Sequence, residues 1–258
     1  MRFEGRTISP GKATGEVLRL DEPLSFLGGV DGSTGELRVG NGGNVKGKVL
    51  VFPRGKGSTV GSFVMYDLMV HGCAPAAVIN ESAETIVATG AVISSIPMVD
   101  SVPSVSMFED GDVVTVDAAS GTVDIEGVEM HESVSSAVVS DGRVLMLRRP
   151  ASCHSFPGRW SLVAGRVEEG EDPADAAKRE IGEETGITVS EPDARLDPVY
   201  VREGKVLWKV HPFLYRVGSV EPVLNEENEA FEWVAPEDIA ARDTVDGTVG
   251  VVQRMLSK

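Results

Sequence analysis

A glutamate-rich segment in the second half of the chain constrains the fold most, because its residues specify both ends of one helix. Asp172 carries a side chain that is preferred at a helix N-cap, and Pro173 follows at the first helical position. Gly186 is a stop signal, since many helices end on a glycine in the left-handed conformation. These signals predict a helix from residue 173 to about 185.

Three carboxylates lie on one face of this predicted helix. At about 100° per residue, Glu180, Glu183 and Glu184 fall within an arc of roughly 100°, and the apolar residues form a separate stripe. Carboxylates at this spacing repel each other, and a hard divalent cation with oxygen ligands is their natural compensator. The pattern indicates bound Mg²⁺ or Mn²⁺, and the alternative is a solvated, glutamate-rich surface.

Composition and charge exclude several classes of partner. The chain has 258 residues, enough for two ordinary domains, and its net charge of -16 disfavours binding to nucleic acid polymers or anionic membranes. Its two cysteines, Cys73 and Cys153, are too few for an iron–sulfur cluster within the chain. No apolar run approaches the length of a membrane span. We therefore expect a cytoplasmic protein with reduced thiols.

Two hairpin patterns indicate a domain boundary near Gly127. The run from 112 to 125 resembles a hairpin that closes a first domain, and valine-rich runs around Asp141 and Gly142 predict another hairpin after the boundary. Between residues 48 and 71, a short apolar strand, a glycine/serine loop and a helix follow one another. The sequence thus predicts an α/β protein with domains at 1–126 and 127–258.

The glutamate-rich helix and its preceding loop resemble the Nudix box. The segment from Gly165 to Ile187 matches Gly-x5-Glu-x7-Arg-Glu-aliphatic-x-Glu-Glu-x-Gly-aliphatic at every fixed position. The likeness extends over roughly Glu132 to Lys258. It implies an α/β/α sandwich with a mixed sheet that hydrolyses a diphosphate linked to another moiety, with divalent cations on the box helix.

The resemblance also implies roles for individual residues. Metal ligands are implied at four positions, Gly165 (through its carbonyl), Glu180, Glu183 and Glu184. Arg179 would orient the glutamates, and Glu171 would close the turn between loop and helix. Glu183 and Arg179 are therefore expected to be essential for catalysis.

A later loop is expected to supply the general base, as it often does in this family. In the acidic run from 225 to 233, Glu227 is the candidate, with Glu226 and Glu229 as rivals. A surface acid without a role is the alternative for Glu227.

Two arginines and a tryptophan are candidates for substrate contacts. Arg148 and Arg149 suit a phosphate, and Trp160 suits stacking on a base. Trp160 is equally plausible as a core anchor, because aromatic side chains commonly fill cores.

A second glycine-rich loop lies in the first half, between a strand and a helix. The run from Pro53 to Ser62 reads Pro-Arg-Gly-Lys-Gly-Ser-Thr-Val-Gly-Ser. It is not a Walker A loop, because Gly57 separates the lysine from the following serine. Backbone N–H groups at the start of the helix would nevertheless face an anion.

This half is similar to the small, swivelling subunit of the aconitase-X group, which in archaea includes phosphomevalonate dehydratase. The likeness covers about residues 1 to 126 and rests on segments in the same order, Ile8–Glu16, Pro23–Asp31, Gly47–Ser58, Ala74–Ile79 and Gly90–Val99. It implies a swivelling β/α domain that docks on a separate large subunit. That subunit would carry an iron–sulfur cluster and most of the substrate site.

The same resemblance implies that Ser58 is the proton acceptor of a dehydration. Its alkoxide would be stabilised by neighbouring N–H groups and cations at Arg54, Lys56, Gly57 and Thr59. Ser62 is the rival, and a turn or N-cap serine is the structural alternative.

The sequence as a whole predicts a fusion of two activities. We expect the Nudix half to act on a nucleoside-diphosphate-linked or prenyl diphosphate substrate, in line with isoprenoid biosynthesis through an archaeal mevalonate pathway. Two alternatives stay open: a Nudix module that only senses a nucleotide and regulates a two-subunit dehydratase, and a swivel domain that serves as a docking surface. The oligomeric state is also open, a homodimer included.

Overall fold

A computed structural model describes residues 1–153 and 156–257 and divides the chain into two compact units. The first unit consists of Met1–Met130 together with Tyr200–Leu207, and the second of His131–Val199 and Trp208–Lys258. Within the predicted domain 127–258, residues 154, 155 and 258 lie outside the described residues. The sequence gives no sign that Tyr200–Leu207 belongs to the first unit. Patterns of composition relate residues that are close along the chain, and this segment lies within the second half.

The first unit is built on one eight-stranded sheet with the spatial order β1-β8-β7-β3-β4-β5-β6-β2. Its strands are β1 (Arg2–Glu4), β2 (Arg6–Ser9), β3 (Lys12–Arg19), β4 (Val49–Phe52), β5 (Ala77–Asn80), β6 (Met98–Asp100), β7 (Val113–Asp117) and β8 (Thr122–Ile125). The run from β3 to β6 is parallel, and the outer pairs are antiparallel. The predicted hairpin between residues 112 and 125 is confirmed as β7 and β8.

Strands β4, β5 and β6 are buried on both faces. In β4, Val49 and Val51 belong to one core cluster, whereas Leu50 and Phe52 belong to another. Alternate side chains of a strand point to opposite faces, so an uninterrupted apolar run such as this one suits a strand that is covered on both sides.

Three helical segments of the first unit follow its strands: α1 (Phe26–Gly29), α2 (Gly61–Val70) and α3 (Thr85–Ile93). A short 3₁₀ helix spans Val105–Met107. Helix α2 buries Met65 and Leu68 but exposes Phe63 and Val70, at 68% and 58% respectively. One apolar side of α2 is therefore left outside the core of its own unit.

The segment Tyr200–Leu207 completes one core cluster of the first unit. Leu207 is fully buried in that cluster, and Tyr200 packs against it. Arg202 and Asp112 form an ion pair at 3.0 Å in which both side chains are almost fully buried, at 3% and 4% exposure. The first unit thus depends on residues that lie about seventy positions beyond its main segment.

The second sheet also has eight strands, with the path β11-β10-β9-β15-β13. Its strands are β9 (Glu129–Ser140), β10 (Arg143–Arg148), β11 (Trp160–Ser161), β12 (Val163–Arg166), β13 (Ala194–Arg195), β14 (Val199–Glu203), β15 (Val206–Arg216) and β16 (Ala230–Val234). Off this path, β12 pairs with β9, β14 with β15 and β16 with β10. The hairpin predicted around Asp141 and Gly142 is confirmed, and both residues have the positive φ that a tight hairpin turn requires.

Helices cover both faces of this sheet. Helix α4 (Pro173–Thr185) contributes Ile181 to the cluster that contains Val138, and helix α5 (Thr248–Leu256) contributes Met255 to the cluster that contains Val139. A 3₁₀ helix at Pro236–Ala241 adjoins α5. Because neighbouring residues of β9 face different helices, the second unit is the α/β/α sandwich that the resemblance to the Nudix family implies. Within the described parts of the chain, no helix combines the length and apolarity needed to cross a bilayer.

Candidate active site and metal centre

Helix α4 starts and ends where its sequence predicts. The Asp172 carboxylate accepts a hydrogen bond from the Ala174 N–H at 2.8 Å, and Pro173 occupies the first turn. Gly186 ends the helix with a φ of 67°, which a residue with a side chain rarely adopts. The local signals therefore fix the position from which the glutamates project.

Arg179 donates hydrogen bonds to three glutamates of this segment. Its Nε and Nη2 atoms donate to the two carboxylate oxygens of Glu171, both at 3.0 Å. Its Nη1 atom donates to Glu180 at 2.8 Å and to Glu183 at 3.2 Å, and Nη2 also donates to the Arg166 carbonyl at 3.0 Å. The hydrogen bond from Arg179 holds the pKa of Glu171 below its usual range. A bidentate pair of this kind fixes the guanidinium plane, so Arg179 holds two glutamates from one rigid position.

Glu180 packs directly over the backbone of Gly165. A Cβ atom added to Gly165 would lie 1.9 Å from the Glu180 carboxyl carbon, so only glycine leaves room for this carboxylate. Glu180 is 8% exposed, and burial raises its pKa although Arg179 acts in the opposite direction. The glycine that opens the motif thus places a buried carboxylate beside the end of β12.

Glu184 is the most buried of the three glutamates, at 4% exposure. Its Oε2 accepts from the Asn228 side-chain amide at 2.7 Å, and its Oε1 accepts from the Ala164 N–H at 3.2 Å. Burial raises the pKa of Glu184 to about 7, although these two donors act in the opposite direction. Its charge is costly in the folded protein unless a cation compensates it.

The donor set suits a hard divalent cation. Glu180, Glu183, Glu184 and the Gly165 carbonyl offer oxygen atoms alone, which is the preference of Mg²⁺, Mn²⁺ and Ca²⁺. Among residues 1–153 and 156–257, however, no three His, Cys, Asp or Glu side chains are arranged to hold a metal ion. Arg179 lies between Glu180 and Glu183, so these carboxylates must turn away from the guanidinium before they share a cation.

A cavity of about 350 Å³ opens beside Glu184. Its lining includes Glu226, Glu227 and Asn228 from the loop before β16, and Arg149 and Cys153 from the region after β10. Of the three candidates for the general base, Glu226 and Glu227 line the cavity, whereas Glu229 pairs with Arg148 at 3.2 Å. The charge of Glu227 also helps to raise the pKa of Glu180 and of Glu184, after the larger effect of their burial.

Two of the residues predicted to bind substrate lie outside this cavity. Arg148 is 47% exposed in its ion pair with Glu229, and Arg149, the next residue, lines the cavity instead. Trp160 packs against the core cluster that contains Met255 of α5, and the next residue, Ser161, lines the cavity instead. The structure therefore does not bring Arg148 and Trp160 together with Arg149 at the cavity, and their substrate contacts stay predictions.

Asn228 is the residue of this site that the sequence analysis misses. It is 8% exposed and contacts Glu184, yet it lies in an acidic, polar run that indicates a solvated loop. No local pattern marks one polar residue of such a run as buried. Only the packing of the loop against α4 reveals it.

The glycine/serine loop of the first unit leads from β4 into α2. Ser58, Thr59, Arg54 and Lys56 are all exposed there. The Ser58 Oγ accepts from the Val60 N–H at 3.3 Å, and the Ser62 Oγ donates to the Thr59 carbonyl at 2.9 Å. The structure thus places one backbone donor of the helix start on Ser58, which is more accessible than Ser62.

The chain before Ser58 is held by contacts with Leu24 and Ser25. The Lys56 N–H donates to the Leu24 carbonyl at 2.9 Å, and the Leu24 N–H donates to the Arg54 carbonyl at 3.1 Å. Gly57 has a φ of 104°, and a Cβ atom at this position would lie 2.7 Å from the Ser25 Oγ. The sharp turn at Gly57 therefore presents Ser58 and Thr59 to solvent from a fixed base.

Two family models match this chain side by side. The aconitase X swivel domain matches residues 2–125, and the NUDIX domain matches residues 130–254.

Known proteins resemble the two parts separately. The phosphomevalonate dehydratase small subunit of Thermococcus sibiricus is 52% identical over 133 residues, which are 49% of this chain and 99% of that protein. The holo-form crystal structure of Thermococcus kodakaraensis aconitase X is 54% identical, with 48% of this chain and 98% of that chain covered and a TM-score of 0.47. The crystal structure of a MutT protein from Methanosarcina mazei Go1 is 25% identical, with 50% and 95% covered and a TM-score of 0.46. This chain therefore belongs to the aconitase X swivel family through residues 2–125 and to the NUDIX family through residues 130–254.

Proposed function

We propose that residues 127–258 hydrolyse a diphosphate bond in a small molecule with the help of Mg²⁺ or Mn²⁺. The observation that carries this proposal is the group of carboxylates on α4, in which Arg179 holds Glu180 and Glu183 and the neighbouring Glu184 lines the cavity. Glu180 and Glu184 are buried, and Glu184 lines the cavity together with Glu227 and Arg149. Buried carboxylates beside a cavity are typical of a catalytic centre rather than of a solvated surface.

Four oxygen donors would hold the metal: the carboxylates of Glu180, Glu183 and Glu184 and the Gly165 carbonyl. A divalent cation supplies charge neutralisation at the phosphate and a more acidic bound water. Arg179 positions the Glu180 and Glu183 carboxylates from its anchor on Glu171.

Glu227 is the general base of this proposal. It is exposed at the cavity, and its backbone is fixed because its N–H donates to the Asn225 side chain at 3.0 Å. Glu227 accepts the proton of the attacking water as the new P–O bond forms. The bridging P–O bond breaks, and the leaving phosphate departs with its electron pair.

The cavity lining favours a polar leaving moiety. The lining combines the guanidinium of Arg149 with hydroxyl, amide and carboxylate groups, and among the described residues that form it Leu162 is the one large aliphatic side chain. A prenyl chain would lie against polar groups without compensating them, whereas a nucleoside or sugar would hydrogen-bond to them. We therefore place nucleoside-diphosphate-linked substrates ahead of prenyl diphosphates.

A substrate panel tests the hydrolase. We expect the full chain with Mg²⁺ to release phosphate or nucleoside monophosphate from one class among sugar nucleotides, dinucleotides, nucleoside triphosphates and prenyl diphosphates. Excess EDTA should abolish that turnover. Binding of a nucleotide without any turnover across the panel would instead support the second candidate, a nucleotide-sensing module that regulates a two-subunit dehydratase.

We propose that the first unit acts as the small subunit of a phosphomevalonate dehydratase-like hydro-lyase. The relatives that it matches over nearly their whole length are named small subunits, which implies a large-subunit partner. The exposed apolar side of α2, with Phe63, Tyr66 and Val70, suits such a partner. The iron–sulfur cluster belongs to the large subunit in this proposal, because this chain has only Cys73 and Cys153.

Ser58 is the proton acceptor that we propose for the dehydration, with Ser62 as its rival. In a complex with a dehydratase large subunit, Ser58→Ala should lose at least about tenfold in turnover, since the reacting proton loses its acceptor. Ser62→Ala is the matched control and should keep most of the activity, because the Ser62 hydroxyl is engaged with the Thr59 carbonyl. Equal losses in both variants would contradict the assignment.

A further inference from the structure

Asn228 holds the Glu184 carboxylate of helix α4 through a side-chain hydrogen bond. Its side chain is 8% exposed, and its Nδ2 atom donates to the Glu184 Oε2 at 2.7 Å. The Ala164 N–H donates to the other oxygen of the same carboxylate at 3.2 Å. Both oxygens of Glu184 are thus held by neutral donors, one from the strand and one from the loop.

The Asn228 donor on Glu184 is neutral, whereas Arg179, the donor on the neighbouring glutamates, is charged. Arg179 holds Glu180 and Glu183 with a positive charge that would compete with a metal cation. An amide donor fixes the direction of the Glu184 carboxylate and leaves its negative charge uncompensated. Asn228 therefore orients this carboxylate without neutralising it.

Asn228 also anchors the loop that carries Glu227. Backbone hydrogen bonds fix the residues on either side of Asn228. The Glu227 N–H donates to the Asn225 side chain at 3.0 Å, and the Glu229 N–H donates to the Arg148 carbonyl at 2.9 Å. Between these two hydrogen bonds, the buried side-chain amide of Asn228 joins the loop to α4. The position of the Glu227 backbone is consequently coupled to that of the Glu184 carboxylate.

We propose that Asn228 is a positioning residue that holds Glu184 for the metal and Glu227 for the attacking water in one arrangement. The inference rests on the proposed hydrolase function and adds a residue to it. Partners of ligating carboxylates typically change metal affinity by about tenfold to a hundredfold when they are removed.

Mn²⁺ binding to the full chain tests the inference without depending on turnover. Free Mn²⁺ is measured by its electron paramagnetic resonance signal, for the wild type and for Asn228→Leu, which keeps the size of the side chain but loses the donor. We expect the dissociation constant to rise about tenfold or more in the variant. Gln253→Leu, an exposed amide-to-leucine change on α5, should leave it unchanged. On the substrate identified by the panel, kcat should fall more than KM rises.

The outcomes separate the inference from the function on which it rests. An unchanged Mn²⁺ dissociation constant in folded Asn228→Leu, with a lower free energy of unfolding, would mean a purely structural role and overturn the inference. If that variant does not fold, Asn228→Ser is measured in its place, because the shorter side chain cannot reach Glu184. Failure of the wild type to bind Mn²⁺ at all would overturn both the proposed function and this inference.

Discussion

Replacing Arg202 by alanine should destabilise the first unit by about 3–5 kcal/mol, because it leaves a buried carboxylate without its partner. Asp112 is 4% exposed, and the Arg202 Nη1 also donates to the Met107 carbonyl at 3.0 Å. The Glu109 N–H would still donate to Asp112, and Lys205 would remain as a longer ion-pair partner at 3.7 Å, but the Lys205 side chain is 68% exposed and compensates the buried charge less well than Arg202 does. The loss therefore approaches the cost of burying an unpaired charge.

Hydrogen exchange is the suitable measurement, since the three tryptophans, Trp160, Trp208 and Trp233, all lie in the second unit. We expect the opening free energy of amides in β4 and β5 to fall by this amount. Arg2→Ala is the control: its ion pair with Asp124 is exposed, so the change should stay within about 1 kcal/mol. A change of similar size in both variants would contradict the account of Arg202.

A second large effect is expected from the pH dependence of Glu184. Its pKa is about 7 in the folded protein and 4.5 in the unfolded reference, because burial disfavours the charged form. The folded state therefore keeps the proton where the unfolded state has lost it. The contribution of this group to stability is full below about pH 4.5 and is lost as the pH rises to about 7, a change of about 3 kcal/mol.

The comparison with Glu184→Gln isolates this contribution from that of other titrating groups. Free energies of unfolding are measured in EDTA by tryptophan fluorescence, which reports on the second unit. From pH 4.5 to pH 8, the wild type should lose about 3 kcal/mol relative to the variant. Glu191→Gln, an exposed change, should run parallel to the wild type. Parallel curves for Glu184→Gln and the wild type would show that Glu184 is ionised as easily as a surface glutamate.

Much of the helix that carries the site is predictable from sequence because its determinants are local. Asp172, Pro173 and Gly186 act on residues within one helical turn of themselves, and the structure confirms the helix that they predict. The hairpin at Asp141 and Gly142 is confirmed for the same reason, since its turn depends on two adjacent residues.

The features that the sequence does not predict depend on which of two neighbouring side chains faces the site, or on contacts between residues that are far apart along the chain. Arg148 and Arg149 are chemically alike, and only the path of the chain at the end of β10 decides which of them reaches the cavity. Asn228 is buried because its loop packs on α4, and its own neighbours in sequence carry no sign of that contact. Likewise, Tyr200–Leu207 joins the first unit through packing with residues near 107 and 112, which are far away along the chain.

The most direct test of the central claim, that the glutamates around Arg179 form the metal centre of a hydrolase, is a comparison of two glutamate-to-glutamine variants. Glu183 is 57% exposed, so Glu183→Gln should fold normally while it removes one ligand charge. Glu237→Gln changes an exposed glutamate on the 3₁₀ helix, away from the site.

Turnover is measured with saturating Mg²⁺ on the substrate that the panel identifies. We expect Glu183→Gln to lose about tenfold to a hundredfold in kcat and Glu237→Gln to match the wild type. Wild-type turnover in Glu183→Gln, with its fold intact, would contradict the claim that this cluster performs the chemistry.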